Sequence, residues 1–342
     1  MIHRGDIALT RAGGLGTLPN LFEARAGERQ LVDLFQQTRV PMGIIDAPLT
    51  PVPVWAMMTL FARAGRVLGD RTFGLEVGSQ MTHSGFGLWV EQNLLAPTFG
   101  GALRRNAATI WAHQSGCRVD VIDRGSHVLW RYIPPALDAV NHHHSDHVII
   151  PMVEFARVYL GRRWAPKWIE VNYPRDADAH LIEEKLQIPV RFGCEGVGLP
   201  VAHADLGVQS QIDFAQTRRV VTLREVVGEA VLANAPEPAR AISAILAMRL
   251  LDGETDIEGT ASLAGLSVRG LQRRLMQKGY TYREVVDAAR KARAVRLLAD
   301  TNMSVTAIGL SLGYDDHASF TRAFGRWTGS APFNYRRQQM PQ

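Results

Sequence analysis

The sequence predicts an α+β front domain with a small, mostly antiparallel sheet, followed by an all-α back domain with two helix–turn–helix units joined by a long helix. Three observations carry this reading. Apolar periodicity mixes helix-like and strand-like patterns through residues 1–234 and is purely helical over 235–342. A short pattern occurs twice in the tail. The positive charge is confined to the same tail.

In the front, residues 54–68 (VWAMMTLFARAGRVL) and 98–115 (TFGGALRRNAATIWAHQS) carry apolar residues at helical spacing. Residues 117–133 (CRVDVIDRGSHVLWRYI) alternate in two runs about Arg124-Gly125, which predicts a hairpin. A helix is expected over 145–161, and short apolar runs at 167–171 and 189–192 suggest further strands. Two prolines in ANAPEP (233–238) interrupt a helical pattern, so the boundary is placed between residues 234 and 235. A helix over 239–251 follows, with proline ahead of it and Gly253 after it.

Charge divides at the same place. Residues 1–234 hold 23 Lys+Arg against 23 Asp+Glu, whereas 235–342 hold 15 against 10. A neutral front and a basic back direct only the back toward a polyanion, although a solvated basic face would look alike.

The repeat supplies what charge lacks. ASLAGLSVRGLQRRL (261–275) matches GLSLGYDDHASFTRAF (309–324), with one extra residue in the second copy. Ala261 and Gly309 are small enough for two helices to approach, and Gly265 and Gly313 stand at the turns. Ser267 and Asp316 are the expected caps of the second helices. The pairs Leu271/Leu275 and Phe320/Phe324 bury one face. That leaves Arg269, Gln272 and Arg273, and likewise His317, Thr321 and Arg322, as base-contacting candidates; arginine suits guanine and glutamine suits adenine. Arg274 and Arg326 are the expected phosphate contacts. The first unit is expected at about 256–278, the connecting helix at about 282–300 and the second unit at about 304–327. TDIE (255–258) and TYRE (281–284) are capping-box patterns. At ~1.5 Å per residue the connecting helix spans about 28 Å, which suits two recognition helices in successive major grooves.

The tail from Ile242 to Arg337 closely resembles the DNA-binding domain of the AraC/XylS family of bacterial transcription regulators. LQRRL (271–275), IGLSLGY (308–314), FTRAFGRWTG (320–329) and PFNYRR (332–337) carry the likeness. Gly309 stands where the family usually has alanine, and Ala318 where a polar residue is frequent. The front, from Phe86 to Leu206, resembles the long effector domains of the ornithine-utilisation-type branch, through APTFGGALRRNAATIWAHQ (96–114) and Pro189 to Phe192. The resemblance implies a regulator, an activator by preference, of double-stranded promoter DNA. It further implies a small-molecule effector, homodimerisation and contact with RNA polymerase.

Candidate sites in the front are less defined. Trp89, Trp111, Trp130, Phe155 and Tyr159 are candidates for an effector pocket, with ordinary core as the alternative. NHHHSDH (141–147) holds four histidines; His143 and His147, four apart, are candidate metal ligands. No second metal motif completes a set, so solvent exposure is the leading expectation for the cluster; a place in the effector pocket for one histidine, or a pH-sensitive contact, is the other. The alternative functions are a metal-responsive regulator built on residues 142–147 and a regulator whose front domain only dimerises. No nucleophile motif or phosphate-cradling glycine loop occurs, so no enzyme activity and no cofactor is expected. Apolar runs are too short for a membrane span, no signal peptide is evident, and Cys117 and Cys194 form no CxxC pattern; a reduced, cytoplasmic protein is expected.

Overall fold

The computed structural model describes residues 7–81, 86–135, 142–210 and 235–339. The expected boundary at 234/235 falls at the edge of these stretches, and Asn141 of the histidine run lies outside them. The chain opens with strand β1 (Leu9–Arg11), helices α1 (Leu18–Ala26) and α2 (Glu28–Thr38), and strand β2 (Pro51–Pro53), which pairs antiparallel with β1. Helices α3 (Val54–Leu68) and α4 (Phe73–Gln80) follow, and then α5 (Leu88–Leu94) and α6 (Phe99–His113). Thr98 caps α6 by accepting from the Gly101 N–H at 3.1 Å.

Strands β3 (Arg118–Asp123) and β4 (Val128–Ile133) form the expected hairpin, with Gly125 at φ +78° in its turn. Helix α7 (His142–Leu160) starts earlier than its periodicity suggests, and takes in the histidine run. The rest of the front comprises β5 (Ile169–Glu170), α8 (Ala179–Leu186), β6 (Val190–Arg191) and β7 (Val197–Val201). The five-stranded sheet has the order β3-β4-β7-β5-β6, antiparallel except for the β5–β6 pair. Its central strand, β7, is absent from the sequence reading; VGLPV contains proline, which ordinarily argues against a central strand. The structure explains the tolerance: β5 pairs with β7 only at Glu170–Gly198, so Pro200 lies beyond that ladder.

Among the described residues the tail is wholly helical. It comprises α9 (Ala239–Arg249), α10 (Ile257–Leu263), α11 (Val268–Met276), α12 (Tyr282–Asp300), α13 (Val305–Ser311), α14 (His317–Thr328) and α15 (Pro332–Gln339). The four helices of the two helix–turn–helix units each have a side-chain cap: Asp256 on the Gly259 N–H, Ser267 on Gly270, Ser304 on Ala307 and Asp316 on Ser319. Thr281 and Glu284 complete the expected capping box of α12. The box expected at TDIE is displaced by one residue. Asp256 caps α10, while the Thr255 hydroxyl accepts from Arg290 at 3.0 Å.

Two arginines lock the tail. Arg249, 3% exposed, donates to the Asp256 carboxylate and backbone carbonyl and to Glu254, so α9 is tied to the start of the first unit. Arg290 on α12 donates to the Leu312 carbonyl at 2.9 Å and lies over the Tyr314 ring, which holds the second turn against the connecting helix.

Two cores result. One fills the space between the sheet and α5–α8. The other runs from α1–α4 through α9 into both helix–turn–helix units. The Trp55 indole N–H at the start of α3 donates to the Leu263 carbonyl at the end of α10, at 2.8 Å.

Gly265 and Gly313 adopt φ of +65° and +76°. A side chain at Gly265 would meet nothing within 4 Å, whereas a Cβ at Gly313 would lie 2.4 Å from the Gly253 carbonyl oxygen. Gly265→Ala is expected to cost about 1–2 kcal/mol for left-handed backbone alone. Gly313→Ala should cost clearly more, because the Gly253 loop must also move. Urea unfolding of the two variants checks the order, and equal losses would contradict it.

Candidate functional site

The histidine run forms the first turns of α7, wedged against α3 and α4. Glycine makes the wedge possible. A Cβ at Gly74 would sit 2.2 Å from the His143 carbonyl oxygen, one at Gly78 2.5 Å from the His147 carbonyl oxygen, and one at Gly65 2.0 Å from the His143 ring. The Gly74 N–H donates to His143 Nδ1 at 3.3 Å, and the His147 ring stacks on Phe61 with centroids 4.5 Å apart. Asp146, at the centre of this contact, is fully buried; it accepts from Arg71 at 2.8 Å and from the Tyr173 hydroxyl. Solvent exposure, the leading expectation for the cluster, is therefore wrong: His143, His144 and His147 are each no more than 4% exposed. Composition signalled a polar surface, but the glycines of α3 and α4 provide the room that takes these rings inside. His143 and His147 are engaged by separate neighbours. Among the described residues no three His, Cys, Asp or Glu side chains come together as a ligand set.

Beside this wedge lies a small cavity of about 80 Å³, bounded by α3, α5, α6, α7 and the β3–β4 hairpin. Trp89, Trp130 and Phe155 line it, together with Met57, Ile110 and Met152. The other two aromatic candidates fall elsewhere. Tyr159 sits behind the wall, its hydroxyl donating to the Leu94 and Ala96 carbonyls. Trp111 is a correction: it is 56% exposed on the outer face of α6, one position beyond the buried stripe. His144 and His147 also reach the cavity.

Sequence reasoning missed Asn106 and His113. Both belong to the stripe of α6 that includes Phe99, Ala102, Leu103 and Ile110, and both line the cavity. A polar residue in the apolar stripe of an amphipathic helix was the available signal. His113 stacks on Trp89 at 4.8 Å and meets Phe86 edge-on. Phe86 and His113 also line an outer cleft of about 400 Å³, which Arg11 borders.

The second surface is on the tail. Arg269, Gln272 and Arg273 are exposed on α11, opposite buried Leu271 and Leu275. His317 and Arg322 are exposed on α14, and the Arg322 guanidinium donates to Ser319 Oγ at 3.1 Å. Thr321 departs from expectation: its hydroxyl is buried and has no hydrogen-bond partner among the described residues. Ser267 and Asp316 are spent on their caps. Arg274 is half-buried, whereas Arg326 is exposed and lies 3.9 Å from Asp287. Arg283, Arg322 and Arg326 line one groove between α12 and α14.

Burial sets the charge state of the front site. It pushes His113 and His143 down to about 3 and His147 to about 4, and holds His144 well below its ordinary value. In the unfolded chain each titrates near 6.5, so below that pH the unfolded chain takes up protons the fold refuses. Stability present above about pH 6.5 is lost as pH falls, by up to ~1.4 kcal/mol per unit for each histidine. Asp146 opposes this, because burial raises it to about 6 despite Arg71, but one carboxyl cannot offset four imidazoles. The urea midpoint is expected to drop steeply between about pH 6.5 and 4.5; a flat profile would show that the rings are hydrated.

Comparison with known proteins agrees with this division. A family model described as the arabinose-binding N-terminal domain of AraC transcription regulators matches residues 30–209, and a helix-turn-helix domain model matches 260–338. The ornithine utilization regulator of Pseudomonas aeruginosa is 25% identical over 308 residues, 89% of each chain. The transcriptional regulator VqsM of the same organism is 44% identical over 77 residues, 22% of this chain and only 24% of that protein. The crystal structure of the transcriptional regulator CdpR from Pseudomonas aeruginosa aligns over 92% of this chain and 98% of that one, at 22% identity and a TM-score of 0.38. With an arabinose-binding-type domain ahead of a duplicated helix–turn–helix, the chain belongs to the AraC family and is a DNA-binding transcription regulator.

Proposed function

We propose that residues 1–234 sense a small-molecule effector in the cavity beside α7, and that residues 235–342 read promoter DNA through both recognition helices. The observation that carries this reading is the position of α3. Met57 lines the cavity, and Trp55, two residues earlier and so toward the opposite face, bonds the end of α10 in the first helix–turn–helix unit. A ligand that displaces Met57 thus acts on a helix joined to the DNA-reading unit. The response requires different affinities for two arrangements of that joint, since equal binding shifts nothing. Homodimerisation, activation and contact with RNA polymerase belong to the same proposal. A reporter fused to the promoter beside the protein's own gene tests activation, and higher expression without the regulator would overturn it.

On DNA, Arg269, Gln272, Arg273, His317 and Arg322 are the proposed base contacts. Arg273→Ala or Arg322→Ala is expected to cost ~1–3 kcal/mol on the correct site and to relax preference at particular bases. Thr321→Ala should leave base preference unchanged, because the hydroxyl is turned inward. Equal losses on random and specific DNA would reassign the arginines to phosphate.

Trp55→Phe separates sensing from coupling, since it keeps a ring and removes the N–H. The variant is expected to bind DNA and effector but to lose most of the effector's influence on DNA affinity. An undiminished response in a fluorescence-anisotropy titration would show that the signal takes another route.

A further inference from the structure

The cavity restricts the chemistry of what it can hold, and this inference rests on reading it as the effector site. None of the residues lining it is Asp, Glu, Lys or Arg. Most polar groups on its wall are already spent. The Gln114 amide donates to the Tyr132 hydroxyl at 2.7 Å, the Trp89 indole to Thr109 at 3.0 Å, and His147 Nδ1 is bonded to the His144 carbonyl. Three groups differ. The Trp130 indole N–H is buried without a hydrogen-bond partner among the described residues. The Asn106 amide and the His113 ring, on side chains only 5% and 8% exposed, also face this apolar wall. These two lie seven residues apart on one face of α6, on either side of Ile110. A polar group at an apolar wall is where a ligand's own polar group can be met.

We propose that this cavity binds a neutral, compact, largely apolar molecule whose single hydroxyl, carbonyl or ring nitrogen is taken by the Asn106 amide and the His113 ring. An asparagine amide both donates and accepts, and a neutral imidazole does likewise, so either polarity of ligand group is met. The walls of Trp89, Trp130, Phe155, Met57 and Met152 suit a flat apolar body, and the two methionines can adapt to it. Size sets a limit. A cavity of roughly 150 Å³ accommodates benzene, so about 80 Å³ with movable methionines admits a molecule on the scale of one ring.

The same features exclude two chemistries suggested by the names of relatives. A pentose carries a hydroxyl on nearly every carbon, and the few polar groups on this wall leave most of them unpaired. A diamino acid brings an ammonium and a carboxylate into a site without a counter-charge, which is far costlier. Asp146, the nearby acid, is committed to Arg71 and Tyr173. The burial that holds the wall histidines neutral removes them as cationic partners for an anion.

The test is calorimetry on the full chain with phenol, indole and toluene as neutral probes, and benzoate, benzylamine, L-ornithine and L-arabinose as contrasts. Phenol is expected to bind saturably, about tenfold or more tighter than the charged and sugar probes, and more tightly than the two-ring indole. Asn106→Leu should lower the phenol-to-toluene affinity ratio about fivefold, the value of one hydrogen bond. Asn106→Ser, which keeps a hydroxyl in less volume, provides the same ratio if the leucine variant does not fold. Tighter binding of benzoate, ornithine or arabinose, no saturable neutral probe, or an unchanged ratio in the folded variant would each overturn the proposal. A parallel titration of promoter DNA keeps the two readings apart. Ornithine binding that alters DNA affinity would retain the effector site and overturn its ligand class. Phenol binding without any effect on DNA would retain the class and overturn the effector role.

Discussion

The close approach of α7 to α3 and α4 is the contact on which the front half depends. Three positions without side chains, Gly65, Gly74 and Gly78, let the first turns of α7 descend until its backbone carbonyls touch α4. Histidine rings fill the remaining space, and the Asp146–Arg71 pair anchors the seam at its centre. Close packing of this kind leaves little room for relaxation, because an added Cβ at Gly74 or Gly78 would strike main-chain atoms, and one at Gly65 the buried His143 ring.

That wedge also produces the chemistry of the cavity. Rings that would titrate near 6.5 on a surface are held neutral well below that pH by burial, and the wall they share with Trp130 and Phe155 carries no charge. The remaining polarity is sparse, at Asn106 and His113 on one face of α6 and at the Trp130 indole N–H. A site built this way discriminates by what it refuses to desolvate, and neutral ligands pay the least.

On the DNA side, duplication has preserved geometry more strictly than chemistry. Both units keep a turn glycine in the left-handed region and a capped second helix with two buried residues four apart. Their outward faces differ, with Arg269, Gln272 and Arg273 on α11 and chiefly His317 and Arg322 on α14. Arg249 and Arg290 join both units to α9 and α12, and α9 packs on β2 of the front. The core around α9 continues into α1–α4, so the covalent order of the chain and the grouping of its cores do not coincide.

Much of this was legible in the sequence wherever structure is local. The repeat, its turn glycines, the Thr281–Glu284 capping box, the hairpin about Gly125 and helix α3 follow from spacings within a few residues, where backbone preferences and caps act. Local rules failed where distant segments decide the outcome. The proline of β7 is tolerated because β5 is short, the histidines are buried because α3 and α4 have glycines, and Trp111 faces outward because the core covers only one stripe of α6. Which of those polar and aromatic residues meet around one cavity depends on helices from α3 to α7, and only tertiary packing brings them together.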